Sequence, residues 1–456
     1  MTLRIDTIKQ PSLDNPHKKT MLTDETLQER KQKVLIAMNR QNISTLVIYA
    51  DKEHGSNFEY LAGFIPRFEE ALLIMTIEGH ISYVLGNENA NKASKARLTG
   101  KGIKCPVFSL PNQPMAQDKV LTDYLEEATW NTEGKVGLVG WKLLPASMQQ
   151  TFDVPFMIVE ALQAIVGNQR MINATGLMID PAYGVRTTNN ANELVHYEYG
   201  ASLASDNLLN AMNHLAVGMS EFEVGHLLQS KGQYPTIVTI SAFGERFEKA
   251  NLYPTERKLS SGDKVALTVA YKGGLSSRCG YAVHSLEELE ETDPGYLDEV
   301  VKPYMNAYFM WLEMIKIGTN GHDFYQTFDA NYSKETYGWH LCPGHLVADE
   351  EWLSSPFFFG SKATVKNGMI FQIDFIPSQT YHHGVSAEST IAIADETLRK
   401  ELQNTYPDFW KRVINRRVYI EEELGVQLSE EVVPLASTVG YLRPLMLDYT
   451  SAVTKK

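Results

Sequence analysis

Cysteine is scarce: the chain of 456 residues has three, Cys105, Cys279 and Cys342, and no CxxC spacing joins them. That count excludes a disulfide framework and a zinc ribbon, and it fits a reducing compartment. Long apolar runs are missing too. No stretch approaches the roughly 18 uninterrupted apolar residues of a membrane span, and the opening MTLRIDTIKQPSLDNPHKK has no apolar core of signal-peptide type. The chain therefore reads as cytoplasmic, with no membrane partner. Positive charge is in deficit, because 42 Lys and Arg stand against 55 Asp and Glu for a formal charge of -13. Such a surface repels phosphate backbones, so nucleic acid is not expected as a partner. Serine-hydrolase elbows (GxSxG), zincin helices (HExxH), P-loops and GxGxxG dinucleotide loops are absent.

What is present is enough apolar residue, 43% of the chain, to fill a large core over two or three domains. After a charged segment from Glu25 to Gln41 that reads as a helix, STLVIYA (44 to 50), ALLIMT (71 to 76), HISYVL (80 to 85) and the run from Lys135 to Val139 are short β-branched strands with helical stretches between. A polar, turn-prone segment, Arg186 to Asn192, then precedes a fresh helix from Glu193 to about Gly218 with apolar positions at three- and four-residue steps. The seam is placed there, giving an α/β domain over 1–188 and an α+β domain over 189–456. Strands are expected at 235 to 242, 264 to 271 and 369 to 376, and helices at about 293 to 316 and 396 to 424, the last a C-terminal helical extension.

Five strings in the second half, in order, carry a family likeness. They are VGMSEFEVGHLL, YPTERKLSSGDKVALTV, PGHLV, VKNGMIFQIDFIP and HGVSAESTIAI, together spanning roughly residues 187 to 396. The chain resembles the pita-bread metallopeptidase family of methionine aminopeptidase, prolidase, aminopeptidase P and creatinase. The resemblance implies a pita-bread second domain, and the first domain looks like the smaller α/β domain that precedes it in creatinase and the proline-specific members. It also implies a homodimer and a small-molecule or peptide substrate.

Those peptidases hold two divalent ions with two Asp, one His and two Glu, so that a bridging water attacks a peptide carbonyl. On this chain the first Asp position falls on Thr268. The second falls on Arg278, or on Cys279 if the intervening turn keeps its full length. His345 matches the histidine, Asp374 stands where a Glu is expected, and Glu388 matches the last Glu. A guanidinium beside a divalent ion at about 4 Å costs on the order of 8 kcal/mol at an effective dielectric near 20. No metal is therefore expected, one being admitted only if His345, Asp374 and Glu388 suffice, and Arg278 is expected between the Asp374 and Glu388 carboxylates. Creatinase is metal-free and uses a histidine whose place here is Asn251, while the family's other active-site histidine falls on Trp352. Neither side chain exchanges protons near neutral pH.

His345 remains as the acid-base group of the mapped centre, with Arg278, Asp374 and Glu388 beside it as catalytic candidates. Asn251, Thr268, Trp352 and His383 are candidate substrate contacts, although His382 and His383 also read as a surface turn pair. Trp352 and the aromatic run 357 to 359 lie beside the expected pocket mouth, and EELEE (287 to 291) reads as a solvated helix face. The function expected is hydrolysis of a C–N bond in a small amino-acid-derived or peptide substrate, without a dinuclear centre and with no cofactor. The alternatives are a catalytically silent binder of a small ligand or peptide, and a metal-dependent Xaa-Pro aminopeptidase.

Overall fold

The computed structural model describes residues 3–14, 18–113, 119–245 and 253–455. Two compact units divide the chain, one of Leu22–Thr187 and the other of the residues up to Met21 together with Thr188–Lys456. Strand β1 (Arg4–Thr7) pairs antiparallel with the last strand, β15 (Ser451–Thr454), through Arg4↔Thr454 to Thr7↔Ser451. For that reason the segment before Leu22, read from sequence as part of the first domain, packs with the second unit instead.

In the unit Leu22–Thr187 six strands, β2 (Ile43–Ala50), β3 (Ala71–Thr76), β4 (Ile81–Leu85), β5 (Lys101–Lys104), β6 (Lys135–Val139) and β7 (Met171–Asn173), form one mixed sheet in the order β5-β4-β3-β2-β6-β7. β2 is central, and all its residues are buried, as expected of a β-branched run covered on both faces. The helix Asp24–Arg40 starts where the Thr23 side chain accepts the Thr26 amide. Helices Leu121–Leu125 and Phe156–Val166 bring Leu121, Leu125, Ile158 and Leu162 into one core with Val47, Leu72, Val84 and Val136 of the sheet. The alternation of short strands and helices read from sequence is what the unit contains.

The other unit carries the long helix Ala191–His214, which Asn190 and Glu193 open with a reciprocal capping box, each side chain meeting the other's amide at 2.9 Å. Nearly every residue of this helix is buried, so it is an internal strut and not a surface helix. It lies on the hairpin of β9 (Lys264–Tyr271) and β10 (Gly274–Tyr281), which with β8 (Ile240–Phe243) makes a three-stranded antiparallel sheet. The approach needs glycine on both surfaces. A Cβ at Gly200 would stand 1.9 Å from the Lys272 carbonyl oxygen, and one at Gly273, where φ is +104°, would stand 2.1 Å from that of Tyr197.

A second antiparallel sheet joins β11 (His345–Leu346), β12 (Ile370–Gln372), β13 (Thr390–Ile393) and β14 (Val432–Pro434). Gln372 ties the two sheets together: its amide donates to the Leu275 carbonyl at 2.9 Å, and its oxygen accepts from Thr390 Oγ1 at 2.7 Å. Three elements differ from expectation. The ladder at 235 to 242 begins only at Ile240, that at 369 to 376 ends at Gln372, and the helix expected from about 293 begins at Leu297, as a π-helical segment (Leu297–Val301) that runs on into Lys302–Met314, after a separate short helix Leu286–Thr292 and Gly295 at positive φ. The C-terminal helices Glu396–Thr405 and Pro407–Val418 bury Leu398, Leu402, Phe409 and Val413. Their charges are not all solvent-facing, however. Arg416 is buried and pairs with Asp14 at 2.8 Å and Glu198 at 2.5 Å, while Arg412 grips the same Glu198 at 2.7 Å.

Candidate active site

The turn Cys342-Pro-Gly-His345 delivers the histidine to β11. Gly344, at φ +99°, donates its amide to the Asp374 carbonyl at 2.9 Å, so that His345 and Asp374 are brought to one edge of the sheet. His345 is fully buried, its Nδ1 lies 3.1 Å from the Leu346 carbonyl oxygen, and the Trp352 ring stacks on it at 4.0 Å with planes 22° apart. Nε2 faces two carboxylates, Glu351 Oε1 at 3.1 Å and Asp374 Oδ2 at 3.7 Å. The Glu351 contact is an ion pair without the alignment of a directed hydrogen bond. A carbonyl oxygen only accepts, so Nδ1 carries hydrogen, and a hydrogen on Nε2 as well makes both sides attractive. Burial alone would lower the proton affinity of this ring, but Glu351 and then Asp374 outweigh it and raise the pKa.

Asp374 and Glu388 are both nearly solvent-free and lie within hydrogen-bond reach of each other. Two carboxylates so placed cannot both stay ionised cheaply, and a proton held between them resolves the conflict. Burial is the main cause in each case. It pushes Asp374 up to about 6, against the pull of His345, and holds Glu388 well above the usual carboxylate range with Asp374 beside it. Asp374 Oδ1 and His345 Nε2 are buried polar atoms with no directed hydrogen bond, the kind of exception that marks a place for an incoming group.

The β9–β10 register decides what stands at the two hairpin positions. The turn is the two-residue Lys272-Gly273, and Thr268 pairs with Ser277, the two hydroxyls bonded at 2.8 Å. Ser277, not Arg278 or Cys279, is therefore the residue that shares a face with Thr268. Arg278 points to the opposite side, as strand alternation requires. Its guanidinium is fully buried and donates to the backbone oxygens of Tyr441 at 2.6 Å, Ser277 at 2.6 Å, Glu388 at 2.8 Å and Thr438, and to Ser389 Oγ at 3.2 Å. The expected bridge between the Asp374 and Glu388 carboxylates is thus corrected: Arg278 reaches the main chain of Glu388, and its five bonds tie β10 to the chain just before β13 and to the segment after β14.

The sequence candidates are divided accordingly. His345, Asp374, Glu388 and Trp352 come together, and Glu351 joins them. Sequence reasoning missed Glu351 although it lies in the visible acidic run Asp349 to Glu351. Asn251 lies outside the described residues. His383 makes its contacts with the Val265 carbonyl at 3.4 Å and with the Tyr281 ring, and burial pushes it down to about 4. Its neighbour His382 is no exposed turn residue, being held by Asp293 at 2.7 Å and Glu299 at 3.3 Å. Phe357 stacks in the core on Phe324 and Phe371, whereas Phe358 and Phe359 point outward. In EELEE only Leu289 is buried.

Whether a dinuclear centre fits is a question about donors. Two ions need about five anionic or imidazole ligands, yet a hydrogen-bonded pair of neutral hydroxyls stands at the hairpin positions, and Asp374 and Glu388 are turned on each other. Among the described residues no group of three or more His, Cys, Asp or Glu is arranged to hold a metal ion. The residues present do not fit that centre. Likewise, among the described residues no helix is long and apolar enough to cross a membrane.

Comparison with known proteins agrees with this architecture. Residues 196–399 match the model of metallopeptidase family M24. Among solved structures, the chain is similar to the prolidase from Pyrococcus horikoshii OT3, with 17% identity, 80% of this chain and 95% of that one covered, and a TM-score of 0.59. It is similar to the X-Pro aminopeptidase from Thermotoga maritima MSB8 at 13% identity over 80% and 95% of the two chains, TM-score 0.59. A putative aminopeptidase P from Bacillus anthracis gives 12% identity over 86% and 100%, TM-score 0.57. At such identities the likeness is one of fold. No curated protein sequence matches the chain.

Proposed function

We propose, from the match of residues 196–399 to the model of metallopeptidase family M24, that the chain is a hydrolase of a C–N bond in a peptide or small amino-acid-derived substrate that works without a dinuclear metal centre. The observation that carries this reading is the pair of buried carboxyls, Asp374 and Glu388, placed to share one proton, with His345 Nε2 3.7 Å from Asp374. In such a pair the ionised member takes a proton from the attacking water, and the protonated member gives its own to the departing nitrogen. The water oxygen bonds the carbonyl carbon to give a tetrahedral intermediate, and the C–N bond breaks as that intermediate collapses. Water's elements are thereby divided between acid and amine, and the pair is returned to its starting protonation. His345, when protonated, sets a cation next to the carboxyls, so that the tetrahedral intermediate forms in a field that favours negative charge. Prolidase and Xaa-Pro aminopeptidase relatives support a peptide as the substrate class.

A second reading is a silent family member that binds a peptide or small ligand, and the complete burial of His345 beneath Trp352 favours it. Cleavage of Xaa-Pro dipeptides, measured in chelator and again with added Mn²⁺, separates these readings. We expect turnover in chelator that Mn²⁺ does not raise, and a loss of about 100-fold or more in both Asp374→Asn and Glu388→Gln. Turnover that depends on the added ion sinks the metal-free reading. Peptide binding without turnover leaves the silent one.

A further inference from the structure

We propose that Glu351 is a positioning residue for His345, acting with Trp352 as a two-sided clamp that sets where the ring's Nε2–H points; the inference deepens the hydrolase reading and rests on it. The clamp is built by a chain reversal. Leu346 donates its amide to the Ser354 carbonyl at 2.7 Å, and Leu353 donates back to Leu346 at 2.9 Å, so the segment between folds over the histidine. Two adjacent residues then reach one ring in different ways. Trp352 covers a face, with planes 22° apart at 4.0 Å, and Glu351 meets the edge at 3.1 Å from Nε2. The Leu346 carbonyl holds the opposite edge at 3.1 Å from Nδ1. Rotation about the ring's bonds is closed on three sides.

The distances also say what the clamp is for. Nε2 lies between two acceptors, and Glu351 at 3.1 Å is nearer than Asp374 at 3.7 Å. Without Glu351 the whole of that attraction falls on Asp374. The histidine would then draw the Asp374 carboxylate toward itself and away from Glu388, and the shared-proton pair would be lost. Asp349, two residues before, cannot substitute, since it accepts from Tyr197 Oη at 3.1 Å and faces Lys272 at 3.9 Å. Glu351 thus works through His345 on the carboxyl pair, without touching the reacting atoms. The orienting of a catalytic imidazole by acceptors at its ring nitrogens is the physical precedent.

The test uses the full chain, with Glu351→Gln, Glu351→Asp and Trp352→Phe as variants. Ring ¹⁵N resonances of His345, identified by their loss in His345→Asn, are recorded without substrate, and kcat and KM are measured separately on the dipeptide found to be cleaved. We expect Glu351→Gln to move the His345 ring resonances and to lower kcat by about tenfold or more with KM within about twofold, as for loss of a group acting only in the transition state. Glu351→Asp should recover part of kcat, and Trp352→Phe should leave the resonances closer to wild type than Glu351→Gln does. Unmoved His345 resonances in a folded Glu351→Gln overturn the proposal, whatever the kinetics. If no peptide is cleaved by the wild type, it is the hydrolase reading that fails, while the resonances still decide the clamp.

Discussion

Replacing Arg278 with methionine tests the corrected role of this residue, and its cost can be worked bond by bond. The guanidinium donates to four backbone oxygens and one hydroxyl, all buried. Their losses are unequal. Glu388 O keeps the Ser277 amide and Ser389 Oγ, Thr438 O keeps the Tyr441 amide, and Ser277 O keeps a long contact from Ser386 Oγ at 3.5 Å. Among the described residues no other donor reaches Tyr441 O, so methionine leaves that acceptor without a partner at about 1–3 kcal/mol, and each weakened oxygen adds about 0.5–1.5 kcal/mol. Burial lowers the pKa of the guanidinium, which signals that the fold bears a desolvation cost, and methionine removes it. The net expectation is a loss of roughly 3 kcal/mol, a large part of an ordinary stability of about 5–15 kcal/mol. Urea unfolding at neutral pH, followed by tryptophan fluorescence, reads it as a shift in midpoint at constant slope. A variant within about 1 kcal/mol of wild type refutes the reasoning, because five buried bonds would then have carried almost nothing.

Two further outcomes are expected. Burial would raise the pKa of Glu198, but Arg416 and Arg412 hold it below the ordinary 4.5, so its contribution is complete above that value and lost as pH falls through the depressed one. Glu198→Gln should therefore cost about 3 kcal/mol near neutral pH, with the gap from wild type closing below about pH 4; a gap independent of pH in urea titrations counts against the network. Thr268→Asp with Ser277→Asp restores two carboxylates to the hairpin face. This double variant should melt lower than wild type in chelator and gain about 3 kcal/mol with Mn²⁺ at a hundredfold excess over its dissociation constant, while calorimetry finds wild type indifferent to the ion.

Much of the fold was legible because its signals are local. β2, β3 and β9 announce themselves as short β-branched runs, and the helix after Asn190 opens on a capping box that spans only four residues, Asn190 to Glu193. The turn that presents His345 is likewise written in Cys-Pro-Gly-His. What escaped depends on register and on reversal of the chain. Whether Arg278 faces Thr268 turns on the length of one hairpin loop, and a two-residue turn sends it to the other side. Glu351 looked like part of an acidic run until the backbone folded it onto the histidine six residues before it.

The substitutions at the centre are coupled through charge. A dinuclear centre brings four positive charges, and the carboxylates around it are stable only in that company. In the site proposed here Glu351 contributes one negative charge and the Asp374–Glu388 pair, sharing a proton, one more, while Arg278 contributes one positive charge and His345, when protonated, another. The sum is zero, which a buried, nearly dry region can hold without an ion. Thr268 and Ser277 belong to the same solution, because two aspartates in their place would leave the region with two uncompensated negative charges. Neutral hydroxyls on the hairpin, His345 and Glu351 therefore balance as one set in electrostatic terms, and changing the charge of any member alone should destabilise the others.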